Sequence, residues 1–259
     1  MPVRTAPWPT GTPCWVDLAV PDVAAAKEFY AAVLGWTYLD LGEEFGHYQI
    51  CQRDGHHAAG IGPCQSPDQP QAWTTYLASD AVDDTTRKIA DNGGTVVAEP
   101  FDVPRSGRMC VALDSQGAAF GVWQAGESIG VGVYNEPGAL VWNEAAEPDA
   151  DTARKFYAAV FDYSYQPVEG APPGSEYTTF HREGDPLGGI GALAHLPPAT
   201  PPHWMTYFMV ADTDVAVAAA TERGATVLAE PVDTPYGRMA SITDPQGATF
   251  SIMGATSPG

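Results

Sequence analysis

Twice in this chain an acid stands two residues after a tryptophan: Trp15 with Asp17, then Trp142 with Glu144. In a strand, positions two apart share one face, so each carboxylate lies beside an indole. A carboxylate in apolar company has a raised pKa and could act as general acid or base. It could equally sit at a solvated mouth or pair with an arginine. Arg108 and Arg238, each following a glycine at the start of a strand, are the natural partners. They could anchor a substrate carbonyl or carboxylate, or form structural ion pairs. Tyr48 and Tyr177 recur at matching places and could donate a hydrogen bond to a ligand or pack in a core. Asp17 and Glu144 are thus the candidate catalytic groups.

Other reactive side chains offer less. The histidines are His47, His56, His57, His181, His195 and His203, and their positions do not form the spaced cluster that metal ligation requires. Cys14, Cys51, Cys64 and Cys110 show no C-x-x-C spacing, which reads as buried free thiols rather than zinc or redox chemistry.

Charge excludes some partners. Twelve Lys and Arg against 32 Asp and Glu leave a net charge of −20, a surface field that repels phosphate backbones and anionic headgroups. Neither nucleic acid nor membrane is an expected partner. No apolar run approaches the roughly 20 residues of a membrane span, and the opening MPVRTAPWPTG has no apolar core of a signal peptide. A cytoplasmic location is expected.

The elements that must position these residues occur in duplicate. Trp15, Pro21, Asp22, Phe29 and Tyr30 recur at an offset of 127 as Trp142, Pro148, Asp149, Phe156 and Tyr157. At an offset of 131, Trp73, Tyr76, Asp83, Gly93 and Glu99 match Trp204, Tyr207, Asp214, Gly224 and Glu230. At 130, Gly107, Arg108, Met109, Asp114, Gln116, Gly117 and Phe120 match Gly237, Arg238, Met239, Asp244, Gln246, Gly247 and Phe250. Two modules follow, 1–126 and 127–259, joined by the glycine-rich stretch from Gly126 to Gly138.

Within the first copy, 14–20 alternates as a strand and Asp22 caps a helix with the apolar stripe Val23, Ala26, Tyr30 and Val33, stopped by Gly35. Asp162 stands where that glycine would recur. Short strands are predicted near 36–39, 46–51 and 57–62. The order then repeats: a strand at 73–79, a helix at 81–92, and strands at 95–98, 107–113 and 119–123. The fold class is α+β, with four βαβββ units forming two tandem modules.

Four such units, a strand-Pro-Asp-helix opening that ends in Phe-Tyr, and a close on Asp-x-Gln-Gly-Ala-x-Phe resemble the vicinal oxygen chelate superfamily of glyoxalases, bleomycin-resistance proteins and extradiol dioxygenases. The stretches from Gly107 to Gln124 and from Asn135 to Tyr157 are similar to the two-module glyoxalase-like proteins of actinobacteria. The resemblance implies a cupped sheet that, in metal-dependent members, holds a divalent ion between imidazole and carboxylate ligands. Its histidine position falls on Trp15 and Trp142, its glutamate position on Gly121 and Ser251, and its middle-strand ligand on Thr74 and Met205, give or take one residue. No metal and no cofactor are therefore expected.

Replacing charged ligands with indoles turns such a cup into an apolar pocket. Alternation points Trp15, Asp17, Thr74, Tyr76, Gly121 and Trp123 inward in one copy, and Trp142, Glu144, Met205, Tyr207, Ser251 and Met253 in the other. The tryptophans either stack on a ligand or plug the barrel as core. Two functions follow from the resemblance: metal-free binding of a hydrophobic or aromatic small molecule for sequestration, resistance or secondary metabolism, or a metal-independent lyase, isomerase or cyclase using Asp17 or Glu144. A metal-dependent glyoxalase or dioxygenase is disfavoured by the ligand positions. Homodimerisation is compatible with either.

Overall fold

A computed structural model describes residues 2–67, 69–171, 175–193 and 200–255; His195 lies outside them. Each copy opens the same way. Strand β1 (Pro13–Val20) leads to α1 (Val23–Leu34), and β9 (Leu140–Glu147) to α3 (Ala150–Phe161). Asp22 caps α1 by accepting the amide of Ala25, and Asp149 caps α3 by accepting those of Asp151 and Thr152. A side-chain cap of this kind contributes about 1 kcal/mol. Gly35 ends α1 in the left-handed region at φ 71°, and Asp162 takes the same conformation at φ 61° without glycine's freedom.

Strands β2 (Thr37–Asp40), β3 (Gln49–Arg53), β4 (His56–Pro63) and β5 (Trp73–Ala78) follow α1, then α2 (Val82–Asp91), β6 (Thr95–Val103), β7 (Gly107–Leu113) and β8 (Ala119–Ala125). The second copy supplies β10 (Ser164–Pro167), β11 (Thr178–His181), β12 (Gly188–Ala192), β13 (His203–Met209), α4 (Thr213–Thr221), β14 (Thr226–Thr234), β15 (Gly237–Thr243) and β16 (Thr249–Gly254). Each copy forms one eight-stranded sheet, in the orders β2-β3-β4-β1-β5-β8-β7-β6 and β10-β11-β12-β9-β13-β16-β15-β14. The two tandem α+β modules are those expected. Strand β6 runs five residues beyond the 95–98 read from alternation, because register shifts after Val96 and Ala98 break the period of two. Strand β3 starts at Gln49 because a short 3₁₀ turn, Glu43–Phe45, precedes it.

Each sheet has one face toward the cup and one toward the helices. On the helix side lie Val16, Leu18, Trp73, Leu77, Phe208, Phe250 and Ile252, all buried. Each helix packs on the sheet of its own copy, and between copies α1 meets α4, α2 meets α3 and β13 meets β5 and β8, with rings of Phe250 and Phe120 against Phe29 and Tyr157. The contacts are reciprocal, as across an isologous dimer interface. Tyr30 donates to Asp244 at 2.9 Å and Tyr157 to Asp114 at 2.9 Å. Gln246 exchanges two hydrogen bonds with the backbone of Asp22, and Gln116 does the same with Asp149. Cys14, Cys51 and Cys110 are buried free thiols, and Cys64 is a partly exposed one. No helix among the described residues is long and apolar enough to cross a membrane.

Candidate functional site

Register decides which side chains meet in the first cup. Trp15 pairs with Tyr76 and Tyr76 with Gly121, so these three form one row across β1, β5 and β8. Asp17 pairs with Thr74 and Gly60 in the next row. Tyr48, just before β3, lies over Gly60 and Gly62: a Cβ at Gly60 would stand 1.7 Å from its hydroxyl oxygen. Gly121 likewise makes room for Tyr76, whose Cδ1 would be 2.0 Å from a Cβ there. At these positions glycine is required by the close approach of a ring.

Both phenols aim at the acid. Tyr48 donates to Asp17 Oδ2 at 3.2 Å and Tyr76 donates to the same oxygen at 3.1 Å, while the Trp15 indole donates to the Tyr48 hydroxyl at 3.1 Å. Asp17 keeps a margin of solvent contact, yet burial pushes its carboxyl up to about 6 against the opposing pull of Tyr76 and Tyr48. Burial first, and the Asp17 charge second, hold Tyr48 and Tyr76 well above the usual phenol range, so both stay neutral donors.

The second cup repeats the pattern with a longer acid. Trp142 pairs with Tyr207 and Tyr207 with Ser251, and Glu144 pairs with Met205 and Gly189. Tyr207 donates to Glu144 Oε1 at 2.6 Å, and the Trp142 indole donates to the Tyr177 hydroxyl at 2.8 Å. Tyr177 lies over Gly189, where a Cβ would be 1.9 Å from its hydroxyl oxygen. Burial and the Glu144 charge raise both tyrosines. Ser251 shares a 2.9 Å hydrogen bond with Ser241.

Of the residues expected at the site, Trp15, Asp17, Tyr48, Thr74, Tyr76, Gly121 and Trp123 converge in the first cup. Trp142, Glu144, Tyr177, Met205, Tyr207 and Ser251 converge in the second. Trp123 turns its indole N–H away to the carbonyl of Ser128 at 3.0 Å. Arg108 and Arg238 do not converge with them. Because Met109 and Met239 point into the cups, the preceding arginines point to the helix side. There Arg108 binds Asp83 through two bonds of 3.0 and 2.9 Å and Asp102 at 2.9 Å, and Arg238 binds Asp214 at 2.8 and 3.0 Å. The expectation that these arginines partner Asp17 and Glu144 or anchor a ligand is corrected: they tie helix to sheet.

Three acids escaped the sequence reading. Asp114 and Asp244 are buried in the turns before β8 and β16 and hold the inter-module tyrosines. Glu147, fully buried at the end of β9, has neither carboxyl oxygen on a donor. Its ionisable neighbour is Asp114, and burial first, then that second carboxyl, favour the protonated form of Glu147. The signal was available, since position 147 matches Val20 at the offset of 127, and an acid replacing a core valine stands out.

One cavity of about 280 Å³ lies between α1 and the Asp244 turn, and another of about 150 Å³ lies beside Trp8, Ala78 and Trp123, the last two on the face of the first cup. The cups themselves are partly filled by their own aromatic rings. As an assembly the chain is a pair of βαβββ cups, each with one carboxylate held by phenols at its centre. It belongs to the Glyoxalase/Bleomycin resistance protein/Dioxygenase superfamily, whose model matches residues 13–122 and 140–252. It is 40% identical over 259 residues to CFP32 of Mycobacterium tuberculosis, with 98% of each chain covered; that protein's name proposes it as a glyoxylase. It is 37% identical to the anthracycline biosynthesis protein DauV of Streptomyces sp. strain C5, covering 94% of this chain and 93% of that one. Among solved structures it resembles the Mn(II)-bound glyoxalase of Novosphingobium aromaticivorans with a TM-score of 0.65 at 16% identity, over 95% of this chain and 83% of the other, a likeness of fold.

The residues present do not fit the divalent ion that metal-dependent members hold. The central row offers an indole, which has no lone pair in the ring plane to give, a phenol kept neutral, and a glycine or serine. Among the described residues no three His, Cys, Asp or Glu side chains converge on a point. What remains chemically is one carboxylate per cup between neutral hydrogen-bond donors and an apolar indole.

Proposed function

We propose that the chain binds a planar aromatic small molecule without a catalytic metal, in a sequestering, resistance or accessory role in secondary metabolism. The observation that carries this reading is the quartet of Trp, Tyr, carboxylate and Tyr, repeated in both cups with the tryptophan at the position of the family's histidine ligand. An indole face adds about 0.5–1.5 kcal/mol of ring pairing beyond area burial, and the carboxylate accepts a hydroxyl from the ligand's polar edge. Similarity over most of the chain to a protein of anthracycline biosynthesis supports an aromatic, polyketide-like ligand class.

A second reading is a metal-independent lyase, isomerase or cyclase. It is favoured by Asp17, whose pKa near 6 suits proton abstraction at neutral pH. The carboxylate would take a proton from an acidic C–H or O–H while a neutral tyrosine donates to the oxygen that gains charge. The proposed glyoxylase identity of CFP32 is consistent with turnover in this family.

Titration with a hydroxyanthraquinone, followed by tryptophan fluorescence, tests the binding reading. Quenching should saturate, at least one of Trp15→Ala and Trp142→Ala should weaken it, and treatment with chelator should leave it unchanged, with elemental analysis finding far less than one transition metal per chain. Absence of quenching, or a stoichiometric metal whose removal abolishes binding, would refute it. Asp17→Asn and Glu144→Gln separate the two readings, because they should spare affinity and abolish turnover only where turnover exists.

A further inference from the structure

Four of the six methionines stand on one face of one sheet. Along β13 the residues Trp204, Thr206 and Phe208 are buried on the helix side, which turns Met205, Tyr207 and Met209 toward the second cup. Met205 lies opposite Glu144, Met209 opposite Met253, and Met253 opposite Met239. At the matching places the first cup has Thr74, Ala78, Trp123 and Met109. Duplication has therefore produced one cup with a second indole and a single methionine, and one cup with four thioethers.

Their accessibility differs in the same sense. Trp15 and Trp123 are each 9% exposed and Tyr76 is 6% exposed. The segment joining the modules closes one end of that cup. Ser128 accepts the Trp123 indole, the Val131 amide donates to the Cys14 carbonyl at 2.8 Å, and the Gly132 amide donates to the His57 carbonyl at 2.7 Å. In the second cup Trp142, Tyr207 and all four methionines are only partly buried. Thioethers are unbranched and polarisable, and they adapt their shape to the edges and faces of aromatic rings.

We infer that the second cup is the ligand site and that it takes a fused planar polyphenol or quinone, while the first is a filled structural copy. The rings lie between Trp142 and the methionine wall, with a hydroxyl toward Glu144 and Tyr207. This rests on the reading that the chain binds a planar aromatic molecule. The single carboxylate at the floor selects ligands with a hydrogen-bond donor at one edge. A peptide, with donors and acceptors along its whole length, would leave most of them unpaired against thioethers.

The test uses the full chain with its methionine methyls labelled with carbon-13, titrated with 1,2-dihydroxyanthraquinone. Ring currents should move the methyls of Met205, Met209, Met239 and Met253 together and leave Met109 in place. Installing the first cup's identities through Met205→Thr with Met253→Trp should weaken binding by about tenfold or more, and Trp123→Met should change it by less than about twofold. Should that double variant fail to fold, the methyl shifts of the unaltered chain still decide. Movement of Met109 without the other four, or loss of binding through Trp123→Met alone, would overturn the assignment to the second cup while leaving aromatic binding intact. Neither quenching nor a methyl shift at millimolar probe would overturn both.

Discussion

Replacing Glu147 with valine should make this protein more stable, and the gain should depend on pH. Glu147 is wholly buried, has no donor on either oxygen, and neighbours Asp114. Asp114 accepts three backbone amides and the hydroxyl of Tyr157, so its oxygens are already engaged and bring Glu147 no donor. Burial, and then Asp114, push the Glu147 carboxyl from 4.5 up to about 10. An acid whose pKa is higher in the folded state favours folding fully below its unfolded value. Stability is lost as pH rises from about 4.5 towards 10. At pH 7 the difference spans some 2.5 pH units, or about 3 kcal/mol at 1.36 kcal/mol per unit. Valine occupies the same place in the first copy, at Val20, fully buried. Its smaller volume costs about 1 kcal/mol in lost contacts, leaving a net gain of about 2 kcal/mol at pH 7, or about 5 °C in melting temperature for a chain of this size. Calorimetry of Glu147→Val and Glu147→Gln beside the unaltered chain at pH 5 and pH 8 measures it. Both variants should flatten the decline toward alkaline pH. A valine variant equally or less stable at pH 8, or a stability difference independent of pH, would refute the reasoning.

Two further outcomes bear on the first cup. Gly121→Ala should displace the Tyr76 ring, since a Cβ there would lie 2.0 Å from its Cδ1, and overpacking of this kind costs about 1–3 kcal/mol; urea unfolding that matches the unaltered chain would show that the ring moves freely. Asp17 should titrate near pH 6, favouring the folded state most below 3.8 and losing that contribution as pH rises to about 6. The indole N–H resonance of Trp15, linked to Asp17 through Tyr48, should follow that midpoint and cease to do so in Asp17→Asn; a resonance that stays still from pH 4 to 8 would contradict it.

Much of the fold was legible because two copies check each other. Capping aspartates, the Phe-Tyr pairs and the alternation of β1 and β5 all recur, and a pattern seen twice is little affected by chance. What stayed illegible is what alternation cannot carry. The bulges in β6 shift the period, so that strand reads short, and β14 carries register shifts at the matching places. Arg108 and Arg238 were misplaced for a different reason. Charge complementarity suggested Asp17 and Glu144 as partners, whereas their own alternation, one step from Met109 and Met239, puts them on the helix side with Asp83 and Asp214. Thr74 faces the cup as expected, but the row of Trp15 and Gly121 belongs to Tyr76, because register between strands is set by pairing and not by spacing along one strand.

The recurring Asp-x-Gln-Gly-Ala-x-Phe close shows how a duplicated chain divides its work. In both copies its aspartate accepts amides of its own turn and a tyrosine from the other copy, its glutamine grips the backbone of the other copy's helix cap, and its phenylalanine packs among the other copy's aromatic rings. The motif that looks most like a site is therefore the clasp between modules, and both copies must keep it because each half of the interface is made by the opposite copy. The cups face away from the clasp and carry no such reciprocal constraint. One could fill with a second indole and accept the connecting segment while the other gained thioethers. Glu147 sits where the two regimes meet, an unmatched acid against one half of a matched clasp. Its replacement by the residue of the sister copy, on the face of β9 opposite the cup, separates the stability of the interface from the chemistry of the site.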